Sequence, residues 1–285
     1  MTGRPSANGS TIASLLRAVS QWLIGVALAV LFTLFFVAIS AVQLSSEGAG
    51  QRLLRRSVAV STQIDAVLPD LQTALRERAR EGSGETVRVP DFPVPVDLTR
   101  EEALRLEGPA LRERILSEAS DRLYEDGMSD WADPDARQSI ETISVPGALK
   151  RGLGLITAAN HDRMVIAAVV LGVLSAMCAA LLAASVRSWG RLVALSAATI
   201  VAALPLLAAA VAVRFAFRTA QEEADPFVWG LLELGVEAMW VPIRNYLALT
   251  VLGFTVVLLT LVFIWTGSRL SQRSAGARGV DTPAA

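Results

Sequence analysis

Four stretches of this chain, residues 22–42, 164–186, 192–213 and 246–266, contain no Asp, Glu, Lys, Arg or His. Each is 21 to 23 residues long, and about 20 apolar helical residues cross the hydrocarbon core of a bilayer. Lipid offers backbone N–H and C=O groups no partners, so helix is the expected form. The sequence therefore predicts an all-α, polytopic membrane protein with four transmembrane helices. The first stretch is longer than the apolar core of a secretory signal, which favours an uncleaved anchor over a cleaved leader despite the small residues Ala38 and Ser40.

Composition agrees. Hydrophobic residues make up 53% of the 285 and charged residues 19%, against about half and a quarter in soluble domains. With 26 basic and 27 acidic residues the net charge is -1, which argues against a nucleic-acid partner. All the basic residues but Lys150 are Arg, a bias that reads as a GC-rich bacterial genome. One cysteine, Cys178, and one histidine, His161, leave no sulfur pair for a zinc or iron–sulfur site. No cofactor or metal is expected, and no Walker loop, GxSxG elbow, HExxH or CxxC occurs.

Short polar segments set the expected orientation. Arg4, Arg17, Arg187, Arg191, Arg269, Arg273 and Arg278 fall on one side, against Arg214, Arg218 and Arg244 on the other. The positive-inside rule then puts both termini in the cytoplasm of a bacterial plasma membrane. The order is a cytoplasmic tail (1–21), span one (22–42), an extracytoplasmic, mostly helical domain (43–163) and span two (164–186). A cytoplasmic turn (187–191), span three (192–213), an outer loop with an interfacial helix (214–245), span four (246–266) and a disordered cytoplasmic tail (267–285) follow. Trp22, Trp189 and Trp265 mark one interface, and Phe227, Trp229, Trp240 and Tyr246 the other.

Within the 43–163 domain, Leu53, Val60, Val67 and Ala74 recur every seven residues, with Ile64 and Leu71 between them. This predicts an amphipathic helix, broken at Pro69 and ended by Gly82 and Gly84. Residues 87–96 carry Pro90, Pro93 and Pro95, which suits an extended or edge strand. Thr99 with Glu102 is a capping box. Pro109 opens a helix with Leu111, Ile115, Ala119 and Leu123 on one face, and Gly127 stops it. Asp133-Pro134 opens a further helix, and Pro146 opens one that runs through Leu153 and Ile156 into the second span.

Ala168, Gly172, Ala176, Ala180 and Ala184 are small residues spaced four apart in the second span, and Ala194, Ala198 and Ala202 continue the habit in the third. Such spacing lets helix backbones approach closely, either inside the chain or as a seam between two copies. Pro205 predicts a kink in the third span. Spans one and four are bulkier, with Phe32, Phe35, Phe36, Phe254, Phe263 and Trp265 set to face lipid.

The candidate polar cluster is in the loop between spans three and four. Glu233 and Glu237 lie one turn apart on an otherwise apolar segment that starts at Asp225-Pro226, with Arg214, Arg218 and Arg244 nearby. Carboxylates in such a place can bind an ion or act as acid and base, but the commoner arrangement is mutual pairing or snorkelling. Asp130, Asp133 and Asp135 share a turn without the EF-hand spacing, and His161 stands at the mouth of the second span.

Four spans with a large domain after the first resembles, in topology alone, the FtsX-type and MacB-type permeases, which transmit ATPase strokes across a membrane. The turn Arg187-Ser188-Trp189-Gly190-Arg191 is too short for the coupling segment of those families. The expected function is a non-catalytic interaction or envelope protein that meets a partner through residues 43–163. The alternatives are a transporter, permease or channel component, and a membrane enzyme working at the outer interface.

Overall fold

The computed structural model describes residues 7–127, 156–186 and 189–278. The Asp130/Asp133/Asp135 turn and the helix starts at Asp133-Pro134 and Pro146 lie outside the described residues. Nine helices and one hairpin follow in chain order among them: α1 (Ala7–Leu44), α2 (Glu47–Thr62), α3 (Ile64–Glu81), β1 (Thr86–Arg88), β2 (Asp97–Thr99), α4 (Arg100–Arg105) and α5 (Gly108–Asp126), then α6 (Ala158–Ser185), α7 (Gly190–Gln221), α8 (Pro226–Ala238) and α9 (Trp240–Arg278). Four segments are long and apolar enough to cross a membrane: Ala18–Leu44, Ala158–Ser185, Gly190–Gln221 and Val228–Thr266. Helix α9 runs on to Arg278, past Thr266, where the disordered tail was expected to begin. Pro205 sits inside α7 without ending it.

The chain forms two compact units. The first holds residues 1–37, 168–209 and 243–285. Its buried cluster joins Leu28 of α1, Leu182 of α6 and Ala198 of α7. The contacts use small residues and carbonyls. A Cβ on Gly172 would lie 3.0 Å from the Phe35 ring, and one on Gly253 only 2.7 Å from Ile200. The Gln21 amide donates to the Ser185 carbonyl at 2.7 Å. Arg191 Nε donates to the Val186 carbonyl at 2.7 Å, satisfying an acceptor at the C-terminal end of α6. Span one, expected to face lipid, thus packs through Phe35 and Leu28, whereas Phe254, Phe263 and Trp265 of span four are exposed.

The second unit holds residues 38–167 and 210–242. Its core is Leu54 and Val58 of α2, Ile64, Leu71, Leu75 and Ala79 of α3, the hairpin valines, and Leu111, Ile115, Leu116, Ala119 and Leu123 of α5. Two sequence expectations change here. The helical break is at Gln63, which takes a left-handed conformation (φ 47, ψ 40), while Pro69 lies inside α3. The Ser61 and Thr62 hydroxyls donate to the Ser57 and Val58 carbonyls at 2.7 Å each, supplying side-chain donors at the end of α2. The turn shifts the phase between the helices. The heptad Leu53, Val60, Val67, Ala74 is therefore not the core face, and Val67 is 41% exposed.

The proline-rich segment is a connection. β1 and β2 pair antiparallel in the register Thr86↔Thr99, Val87↔Leu98, Arg88↔Asp97, and Val89 N–H donates to the Val96 carbonyl at 2.9 Å. Pro90, Pro93 and Pro95 fall between the strands, where no ladder N–H is needed. The Thr99/Glu102 capping box is formed, and α5 buries the predicted face and ends at Gly127 (φ 76). The last expectation fails: Ile156 and Thr157 are not helical, and α6 begins at Ala158. Thr157 instead accepts from Asn160 N–H at 3.3 Å, and Ile156 packs onto the domain core.

Candidate functional site

Helix α8, which follows α7, docks on α2 of the domain. Asp225 caps α8 by accepting from Val228 N–H at 3.0 Å. Leu231, Leu232 and Leu234 are buried, and Gly230 meets Val60 of α2, where an added Cβ would lie 2.8 Å away. That close approach is why the position needs a residue without a side chain. Gly235 meets the Phe217 ring in the same way, at 2.7 Å.

Within this packing two residues of the predicted cluster have partners outside it. The Glu237 carboxylate pairs with Arg56 of α2. The Arg214 guanidinium lies 5.1 Å over the Trp240 ring, a cation–π contact. Glu233 and Arg218 are exposed, and Arg244 is exposed in the other unit. The Arg56–Glu237 pair joins residues 181 apart in sequence, a distance over which no periodicity in the chain speaks.

His161 meets a serine. The Ser45 hydroxyl donates to the Ala41 carbonyl at 2.8 Å and is 3.1 Å from His161 Nδ1. With the hydroxyl proton on the Ala41 carbonyl, the shorter contact, a bond to His161 requires Nδ1 as its donor. A nucleophilic serine needs the reverse direction. The Tyr124 hydroxyl donates to the Ser45 carbonyl at 3.0 Å. Burial, then Glu47 and Asp162, push the Tyr124 phenol up from its ordinary value, keeping it a neutral donor. The pair reads as a brace where α1 ends and α6 begins.

Three arginines of α5 link it to other elements. Arg114 bridges Glu102 at 2.8 Å and Glu118 at 3.0 Å, and Arg122 bridges Asp97 at 2.8 Å and Glu118 at 3.3 Å. Arg112 grips Asp65 through two nitrogens, at 2.6 and 3.2 Å. Burial opposes ionisation of Glu102. The Thr99 N–H, the Arg114 guanidinium and the Thr99 hydroxyl outweigh it and hold the carboxyl below its usual value.

A cleft of about 480 Å³ opens between α3 and the proline-rich connection, lined by Ser61, Thr62, Val67, Asp70, Leu71, Ala74 and residues 90–93. Sequence reasoning missed it, because Val67 and Ala74 read as core and residues 87–96 as strand. Among the described residues no group of three His, Cys, Asp or Glu side chains is arranged to hold a metal ion.

On the second span, Gly172 is filled by Phe35, while Ala176, Ala180 and Ala184 are exposed in the single chain. The buried line of that helix runs instead through Ser175 and Leu182. No protein family, curated protein or solved structure matches this chain.

Proposed function

We propose that this chain is a non-catalytic membrane protein of the bacterial plasma membrane that presents its 43–163 domain outside the cytoplasm to a protein partner, with both termini inside. The observation that carries the reading is the domain itself. It has its own buried core from Leu54 to Tyr124, and Arg112, Arg114 and Arg122 pair with carboxylates on other elements. A body with a core of its own fits a presenting role. The enzyme reading loses weight, because Glu237 is engaged by Arg56. The carrier reading loses weight because the apolar stretches 22–42, 164–186, 192–213 and 246–266 carry no ionisable side chain, whereas ion-coupled carriers place such groups in the membrane. The exposed Ala176, Ala180 and Ala184 support the second span as a seam between copies.

The test is cysteine labelling of whole cells with a membrane-impermeant thiol reagent. Cys178 is replaced by Ala, and single cysteines are placed at Ser83 or at Ser188. Labelling at Ser83 and not at Ser188 is expected. Labelling at Ser188 alone turns the protein over, and the partner is then cytosolic.

A further inference from the structure

The cleft between α3 and the proline-rich connection deepens the partner-binding reading, and the following rests on that reading. Its walls are apolar, from Val67, Ala74, Phe92 and the two prolines at 90 and 93. Its polar side chains are four: Ser61, Thr62, Asp70 and Asp91. All four offer acceptors. The Ser61 and Thr62 protons are given to the Ser57 and Val58 carbonyls, which leaves their oxygens only acceptor capacity to offer. Pro90 and Pro93 have no N–H to contribute. No basic side chain lines the cleft. Asp65, Asp97, Glu102 and Glu118 elsewhere in the domain have arginine partners, while Asp70 and Asp91 form no ion pair with a described side chain.

We propose that this cleft seats an extended segment of a partner protein that carries an arginine or lysine beside apolar residues. A donor-rich cation complements a wall made of acceptors and two negative charges. The aliphatic stem of such a side chain suits the Val67, Ala74 and Phe92 surface, and its head suits the carboxylates. The length also selects the occupant. Val67, Asp70, Leu71 and Ala74 follow one face of α3 at steps of three and four. From Val67 to Ala74 the helix rises about 10 Å, the span of about three extended residues. A cleft of about 480 Å³ holds more than one side chain. Asp91 sits at φ 51, a left-handed conformation that Asp and Asn tolerate, which holds its carboxylate on the turn beside Pro90.

The experiment uses the purified full chain in lipid nanodiscs and a capped Leu-Arg-Leu tripeptide, with the citrulline tripeptide as its neutral twin. Binding is read by titration calorimetry. The arginine peptide is expected to bind at least tenfold more tightly than the citrulline peptide and to weaken as salt rises from about 50 to 300 mM. The double variant Asp70→Asn, Asp91→Asn keeps the backbone preference at 91 and is expected to lose at least tenfold in affinity with an unchanged thermal midpoint. Phe92→Ala weakens both peptides alike. Equal binding of the two peptides by the wild-type chain, or undiminished binding by the folded double variant, overturns the proposal. Equal affinity for argininamide alone overturns the partner segment in favour of a small cation. These readouts do not depend on which side of the membrane the domain faces, so a reversed topology leaves them intact.

Discussion

In the membrane unit Leu28 and Leu182 are buried, yet Val201, Leu258 and Phe263 of α7 and α9 are each more than half exposed. In the other unit Leu54, Leu75, Leu98, Leu111 and Ile115 are almost wholly enclosed, and arginine–carboxylate pairs link its elements. The two units are held by different forces. Lipid tails are as apolar as leucine, so helices in a bilayer gain little from hiding apolar surface from one another. They gain from close fit, as where Phe35 fills the space over Gly172, and from donors that reach carbonyls, as Gln21 does at Ser185. In water, burial of apolar area supplies most of the stability.

Truncating one buried aliphatic in each unit sharpens that contrast most. Ile115→Ala is expected to cost the domain about 3 kcal/mol, from lost transfer energy plus the cavity left behind. Leu182→Ala, equally buried, is expected to cost the membrane unit clearly less, because only the packing share is lost there. Amide hydrogen exchange in nanodiscs, read separately over α5 and α6, measures both. Equal losses would break the contrast.

Gly230→Val comes next. The new side chain meets Val60, whose Cγ1 is 2.8 Å from the site of a Cβ. A misfit of this kind costs about 1–3 kcal/mol. Exchange over α8 should speed up while α5 keeps its protection, and Val60→Ala in the same chain should restore part of the loss. If α8 is unaffected, its docking on α2 does not hold that helix.

The spans were legible because a single property, the lack of charge over 21 to 23 residues, is dictated by lipid. The α5 face and the Thr99/Glu102 box were legible because they depend on neighbours three and four residues away. The break at Gln63 was hidden, since it turns on side-chain donors at Ser61 and Thr62 and not on the proline six residues later. That one turn decides which of two apolar stripes faces the core, and so whether Val67 is buried or lines a cleft. The cluster around Glu233 and Glu237 was legible as a set of residues and not as a site. Its geometry is set by Arg56, which sequence spacing cannot bring near.

A smaller effect tests the electrostatic half of the contrast. The folded domain holds the Glu102 carboxyl below its usual value. The stability this contributes is full above the unfolded value, about 4.3, and is lost as pH falls through the lower folded value. Glu102→Gln keeps the shape but removes the charge facing Arg114, and is expected to cost about 1 kcal/mol at neutral pH. In the variant the acid-side decline of domain stability should be shallower than in the wild type. An unchanged acid profile would remove Glu102 from the account.

The smallest effect on folding is expected at Ala180→Leu. Ala180 is exposed in the single chain and meets no buried neighbour set, so the stability of the membrane unit should change by less than about 0.5 kcal/mol. Its consequence belongs to a second copy. Two helices that meet along Ala176, Ala180 and Ala184 need their backbones close, and a leucine holds them apart. Sedimentation in detergent, or crosslinking through a cysteine at the same face, should show self-association weakened in Ala180→Leu and unchanged in Leu181→Ala, which alters a bulky exposed neighbour. Weakening in both variants would point to general lipid-facing packing. Weakening in neither would leave the stripe as a lipid-facing surface, and the membrane unit would then hold its close contacts only where Gly172 and Gly253 place them.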